Sequence, residues 1–421
     1  MRRLLIASGL ATFALALAPG VGAAQTSPAA GNPRAVFRPS IRPYVVWGVS
    51  SREERSLLVS EGFDIGERAW ADHVELFGTR TQALALSVSG YRVIPEAVHT
   101  PAGPRPDDFP PGYEDYHNYA EMVQDVQDVA AAHPDIAHVF SLGTSYEGRD
   151  IIGIRISNDA TDNLHEPGVF FVGQHHAREH LTVEVVLGLI HMFAEDPKLR
   201  SLVDTRQIYL VPSLNPDGSE YDIQSGNFVY WRKNRQPYQG IYGTDNNRNY
   251  SYRWGCCGGS SSDPNSEVYR GPFPLSTPED QAMANFMLAH RNVTTGISYH
   301  TYGELVLYPY GYTYQDIPPD MTVIDHSTFV AMAQEMGRTT GYTPEQSSDL
   351  YITDGDWNDW MYGALHRYPF TIEGADYGYG FYPPEQYIPT EVEREKRAAI
   401  FDAMMADCPT KIVGVPCTNP R

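Results

Sequence analysis

The chain has 421 residues, 31 of them basic and 52 acidic, for a formal net charge of −21. So large an acidic excess disfavours nucleic acid and anionic membrane surfaces as partners and suits a protein that must stay in solution. The length admits one large domain of about 300 residues with something smaller beside it.

At the start, Arg2 and Arg3 precede an apolar run from Leu4 to Ala18, followed by Pro19, Gly20 and the small residues Gly22, Ala23 and Ala24. That is the layout of a secretory signal peptide cleaved near Ala24 (residues 1–24). The run is shorter than the roughly 20 apolar residues a spanning helix needs, and no later segment reaches that length. The mature chain is therefore expected to be secreted, to the periplasm or the medium, where disulfides are permitted. Four cysteines, Cys256, Cys257, Cys408 and Cys417, allow three pairings. Cys408 with Cys417 would close a short terminal loop and is the expected bridge.

Residues 43–95 alternate short apolar runs (Tyr44 to Val49, Val74 to Phe77, Tyr91 to Ile94) with polar, helix-favouring stretches (Ser51 to Glu61, Thr81 to Ser87). This alternation predicts a small α+β unit. It runs into a proline-rich segment, Pro101 to Pro111, read as an extended, exposed linker. From Tyr116 the pattern lengthens. Tyr119, Met122, Val123, Val126, Val129 and Ala130 fall at helical spacing, and His133 and Pro134 end that helix. Val139 to Leu142, Ile151 to Ile156, Val169 to Val172 and Ile208 to Val211 read as strands; Leu181 to Phe193 and Ala282 to Leu288 read as buried helix faces. Thr277, Pro278, Glu279 and Asp280 form a helix start with a capping hydroxyl, an early proline and carboxylates at the positive end. The expected fold class is α/β, a mixed sheet sandwiched by helices, without internal repeats.

Where the apolar run Gly168 to Gly173 stops, His176, Ala177, Arg178 and Glu179 place an imidazole and a carboxylate three residues apart. Catalytic zinc usually has three protein ligands and an open position, so a third is expected elsewhere. His300, ending the run Gly296 to Tyr299, is the best candidate, because open α/β sheets place their chemistry at strand ends. Alone, His-x-x-Glu is a weak signal, since a chain with 14 histidines produces about one such pair by chance. Its neighbours add the weight: Trp231, Arg232, Lys233, Asn234, Arg235; then Asp245, Asn246, Asn247, Arg248, Asn249; then His300, Thr301, Tyr302; then Asp359, Trp360; then Phe370, Thr371, Ile372, Glu373.

With these motifs in this order, residues 112–405 resemble the zinc carboxypeptidases of the pancreatic carboxypeptidase A and bacterial carboxypeptidase T type. The resemblance implies a fold with a sheet of eight strands, one zinc ion on His176, Glu179 and His300, and Asp245 bonded behind His176. His175 and His180 match no family position. Zinc would activate water, and Glu373, ending the apolar run Tyr368 to Ile372, would be the general base. An arginine matches a planar carboxylate with two parallel hydrogen bonds, and Arg248 with Asn247 falls at the family's terminal-carboxylate clamp, which Tyr351 closes. Arg235 is assigned to the cation that stabilises the carbonyl oxygen. Arg178 would bind further along the substrate, and Tyr302 is counted among the substrate-binding residues. The pocket for the terminal side chain is expected to include Leu307, Gly311, Gln346, Thr353, Asp356, Asn358 and Thr371, with Asp356 attracting basic residues and the space at Gly311 admitting apolar ones.

The resemblance further implies that residues 25–111 are a propeptide and linker, cut by an activating protease between Pro101 and Pro111, with Arg105 the candidate cut site; residues 406–421 are left as a C-terminal tail. Bacterial relatives often carry one more cysteine where this chain has Asp263, Pro264, Asn265 and Ser266, which leaves the partners of Cys256 and Cys257 open. The activity implied is hydrolysis of carboxy-terminal peptide bonds by a monomer with broad side-chain preference. The alternatives are a cell-wall D,L-peptidase or amidohydrolase, which would alter the Asn247–Arg248 clamp, and an inactive binding protein, which would lose a ligand or the base.

Overall fold

The computed structural model describes residues 40–96, 108–158 and 164–417. The segment read as a signal peptide, and most of the proline-rich linker with Arg105, lie outside them. The amino-terminal unit is a three-stranded antiparallel sheet, β1 (Arg42–Trp47), β2 (His73–Gly78) and β3 (Arg92–Pro95), ordered β2-β1-β3, with helices Arg52–Ser60 and Arg80–Val88. Both helices open on a capping box: Ser51 with Glu54, and Thr79 with Gln82. The linker's end differs from expectation. Phe109 and Pro110 are buried, and Phe109 meets His180 edge-on at 5.0 Å, because an aromatic ring in this proline run gains more from burial than from exposure.

The larger unit is built on a mixed sheet of eight strands: β4 (Ala137–Thr144), β5 (Asp150–Ile156), β6 (Gly168–Val172), β7 (Gln207–Val211), β10 (Val293–Thr301), β11 (Leu305–Tyr308), β12 (Thr343–Gln346) and β13 (Tyr368–Gly374). A separate hairpin supplies β8 (Pro237–Tyr238) and β9 (Ile241–Tyr242). The order is β12-β11-β13-β10-β6-β7-β5-β4, with β7, β6, β10 and β13 parallel at the centre. Central parallel strands are covered on both faces, which is why β6 and β7 are buried at every position.

Helices Leu181–Glu195, Val323–Thr340 and Ile388–Met405 lie on one face, and Pro278–Ala289 and Trp357–Gly363 on the other. Leu181–Glu195 buries Leu181, Val185, Val186, Leu189, Ile190 and Phe193, each stabilising by about 1.5 to 3 kcal/mol relative to exposure. Thr277 caps Pro278–Ala289 by accepting from the Asp280 amide at 3.1 Å. Disulfides join Cys408 to Cys417, as expected, and Cys256 to Cys257. Among the described residues no helix is long and apolar enough to cross a membrane.

Candidate active site

Parallel pairing sets His300 of β10 directly opposite Glu373 of β13 at the carboxyl ends of the two strands. The neighbouring strand, β6, stops at Val172 and turns through Gly173, where a Cβ would sit 2.5 Å from the Pro212 carbonyl oxygen and 2.8 Å from that of Thr182; only glycine fits. Gln174 follows at φ 55°. It is held there by a bond from its amide to Thr182 Oγ1 (2.9 Å), by one from its side chain to Ser219 Oγ (2.8 Å) and by one accepted from Ser213 Oγ (2.6 Å). The turn delivers His176 and Glu179 beside His300.

His176 Nδ1 lies 2.7 Å from Glu179 Oε1 and 3.2 Å from His300 Nδ1, and His300 Nδ1 lies 3.0 Å from Glu179 Oε2. All three side chains are buried, and their ligand atoms fall within 4.8 Å of one another. Two imidazoles and a carboxylate converging through one atom each form the donor set of a catalytic zinc site. Behind it, Asp245 Oδ1 stands 3.3 Å from His176 Nε2, the carboxylate contact that orients a ligating imidazole. Burial alone would raise the Asp245 carboxyl, but Arg232 and His176 hold it well below the usual range. His175 and His180 point elsewhere. His175 Nε2 is 3.0 Å from the Tyr250 hydroxyl and its Nδ1 3.0 Å from Ser298 Oγ, while His180 Nε2 is 3.0 Å from Asp222 Oδ2.

Glu373 is 4% exposed and its Oε2 has no hydrogen-bond partner. Burial, then the carboxylates of Glu67 and Glu179, push its carboxyl well above the ordinary range. It shares a cleft with His176, Arg232, Asn247, Arg248, Tyr351, Asp356 and Glu67. Arg248 is held by neutral carbonyls, with Nε donating to Gly259 O at 2.9 Å and Nη1 to Asn247 O at 2.7 Å. Asn247 Oδ1 accepts from the Trp357 amide at 2.9 Å.

Arg235 departs from its expected place. Its guanidinium stacks on Tyr221 at 3.6 Å and reaches Glu147 at 3.6 Å, and it does not line the cleft. The cation the structure brings there is Arg232, whose Nε donates to Asp245 Oδ2 at 2.9 Å. The motif Trp231 to Arg235 offered both residues, and its spacing alone does not say which of them turns into the cleft.

The side-chain pocket needs correcting as well. Leu307, Thr353, Asp356, Asn358 and Thr371 line the cleft; Gln346 and Gly311 do not. Gly311 offers no open space, since a Cβ there would be 2.0 Å from Thr353 Oγ1, and Gln346 spends its amide on the Tyr310 and Thr313 carbonyls. Asp356 has two attachments: Oδ1 caps helix Trp357–Gly363 through the Asp359 amide at 2.8 Å, and Oδ2 accepts from Thr353 Oγ1 at 2.6 Å. Asn358 donates to Leu307 O at 3.3 Å and leaves its own buried Oδ1 unpartnered.

The amino-terminal unit closes the cleft. Asp64 receives two bonds from Arg178, at 2.6 and 3.1 Å, and the Arg178 guanidinium lies over Phe381 at 4.0 Å and Phe77 at 4.7 Å. Glu67 accepts from the Tyr351 hydroxyl and stands 3.9 Å from Arg232. Tyr302 donates to Glu75 at 2.6 Å. The cleft retains about 40 Å³, room for about three waters.

Comparisons with known proteins agree with this geometry. The sequence profile described as zinc carboxypeptidase matches residues 122–398. A zinc carboxypeptidase of Saccharothrix mutabilis subsp. capreolus is 37% identical over 99% of each chain. Carboxypeptidase A1 of Rattus norvegicus is 33% identical over 67% of this chain and 68% of its own. Among solved structures, the carboxypeptidase A of Helicoverpa armigera superposes with a TM-score of 0.73 at 21% identity, covering 89% of this chain and 98% of its own. The eight-stranded sheet, the converging His-Glu-His set and these similarities lead to one conclusion: the chain belongs to the zinc carboxypeptidase family, whose members are metal-dependent peptide hydrolases acting at carboxyl termini.

Proposed function

We propose that the chain is an exported exopeptidase that uses one zinc ion to release single residues from the carboxyl ends of peptides, and that residues 25–111 form a propeptide and linker that keep the cleft shut until an activating protease removes them. The observation that carries this reading is a His-Glu-His metal set that opens through His176 onto one cleft, which is also lined by a buried carboxyl with an unpartnered oxygen and a guanidinium whose bonds go only to neutral carbonyls.

His176, Glu179 and His300 would hold the zinc, which when bound supplies Lewis acidity toward the scissile carbonyl and toward water. Glu373 Oε2 takes the proton of the attacking water and later passes it to the leaving amine. Arg248, with Asn247 beside it, binds the terminal carboxylate by paired charge-assisted bonds, and Tyr351 covers it once Glu67 has gone. Arg232 takes the place first given to Arg235 and donates to the carbonyl oxygen as negative charge grows there. Arg178 and Tyr302, released from Asp64 and Glu75, face the preceding residues of the substrate. Asp356 and Asn358 sit where the terminal side chain enters, which supports acceptance of basic as well as apolar ends.

The Asn247–Arg248 pair favours this reading over a D,L-peptidase or an amidohydrolase, and the complete set of ligands and base favours it over an inactive binding protein. The amino-terminal carboxylates Asp64 and Glu67 occupy the arginine and tyrosine a peptide would use, which supports the propeptide assignment. The test is to incubate the trimmed protein with an amino-blocked dipeptide, untreated, with a chelator, and with zinc restored. Release of a free amino acid that the chelator abolishes and zinc restores is the expected result; release indifferent to chelation would overturn it.

A further inference from the structure

Arg248 donates Nε to the carbonyl of Gly259, which lies in the loop Gly255–Ser260. No disulfide ties this loop to another segment, because its two cysteines, Cys256 and Cys257, are bonded to each other. It is gathered instead onto one fully buried carboxylate, that of Asp354. The amides of Gly255 (3.2 Å), Cys257 (3.1 Å) and Gly259 (2.9 Å) and the hydroxyl of Ser260 all donate to it. The contact is close-fitting: a Cβ at Gly259 would stand 2.2 Å from the carbonyl carbon of Thr353. Asp354 also lies between Tyr351 and Asp356, so one short segment carries the phenol, the loop anchor and the pocket carboxylate. A carboxylate accepting three amides and a hydroxyl is strongly held, and its loss would free the carbonyl against which Arg248 is aligned.

We propose that Asp354 is a positioning residue for the terminal-carboxylate clamp, acting through the Gly255–Ser260 loop to hold Gly259 O against Arg248 Nε and so to aim the guanidinium at the substrate. This rests on the reading of Arg248 as the clamp. Asp354 touches neither the metal set nor Glu373, so its effect falls on substrate capture.

The test uses the trimmed, zinc-loaded enzyme and a blocked dipeptide with a free carboxylate. Asp354→Asn keeps the shape but turns an amide donor toward the loop's donors; KM is expected to rise about 10-fold with kcat within about twofold and zinc content unchanged. Ser260→Ala, which removes one of the four donors and spares the fold, is expected to raise KM by about two- to threefold. The deciding arm is a double-mutant cycle with Arg248→Ala. If Asp354 acts through Arg248, Asp354→Asn adds nothing to KM in the Arg248→Ala background; a merely structural role adds its full effect there. An unchanged KM in both single variants, or full additivity, overturns the proposal. An Arg248→Ala enzyme with normal KM would overturn the clamp reading itself, a separate outcome.

Discussion

Asp64 and Arg178, 114 positions apart in sequence, meet through two hydrogen bonds of 2.6 and 3.1 Å with both side chains buried. Removing one partner of such a pair leaves an unpaired buried charge and costs about 3 to 5 kcal/mol. The uncut chain is therefore expected to be nearly inactive and the trimmed chain active. The uncut Asp64→Ala, Glu67→Gln double variant should gain activity by partial release of the amino-terminal unit. Activity of the uncut wild type equal to that of the trimmed enzyme would contradict this, and assaying the three preparations side by side decides it.

The exchange of Arg235 for Arg232 in the cleft gives a second expectation. Arg232→Gln should lower kcat by about 100- to 1,000-fold, the usual loss for one oxyanion donor. Arg235→Ala, which removes the guanidinium's stacking on Tyr221, Trp231 and Tyr242 and its contact with Glu147, should lower the melting temperature and leave kcat of the folded enzyme within about twofold. Single-substrate kinetics with a zinc assay on both variants are the check, and the reverse ranking would restore the original assignment.

Ligand and base should separate cleanly. Glu373→Gln keeps the three donor groups and should bind zinc stoichiometrically with almost no turnover, because an amide accepts no proton from water. His300→Ala should lose zinc affinity and turnover together. Tight stoichiometric zinc in His300→Ala would mean that the third ligand lies elsewhere.

Much of this was legible in the sequence because it is periodic or local. The buried strands β6 and β7 are short apolar runs, the capped helix at Thr277 announces itself in four residues, and His176 and Glu179 sit three apart. What was not legible depends on contacts between distant positions. Glu67 reaching Tyr351, Asp354 gathering the loop that holds Arg248, and Thr353 filling the space above Gly311 join segments that no spacing connects. The exposed reading of the linker's end failed because a proline-rich pattern says nothing about where Phe109 finds its partners. Arg232 and Arg235 were both visible in one motif, and only the direction of each side chain tells them apart.

Asp402 gives a prediction about stability. It is fully buried, accepts from Thr295 Oγ1 at 2.5 Å, and burial raises its carboxyl to about 8, against roughly 3.9 in an unfolded chain. The folded state thus binds the extra proton. Stability from this group is complete below about pH 4 and declines as pH rises toward 8. Asp402→Asn, whose amide oxygen can still accept from Thr295, should melt a few degrees higher than the wild type at pH 8.5 and no higher at pH 4. Thermal melts at the two pH values test it, and an equal shift at both would remove Asp402 as the source.

Asp356 should matter for basic ends. Burial raises its carboxyl, and an incoming Lys or Arg would restore the charge by pairing. Asp356→Ala is expected to lose kcat/KM chiefly on Lys and Arg substrates, with Phe and Leu substrates much less affected. Equal losses on all four would leave Asp356 as the cap of helix Trp357–Gly363 alone.

The central claim is that a zinc site and a carboxylate clamp in one cleft remove residues singly from a free carboxyl end. Mass spectrometry of a ten-residue peptide and its carboxy-terminal amide, each incubated over time with the trimmed, zinc-loaded enzyme, tests it most directly. The account predicts a ladder of single-residue losses from the free-acid peptide and an intact amide; internal fragments, or equal trimming of the amide, would contradict it.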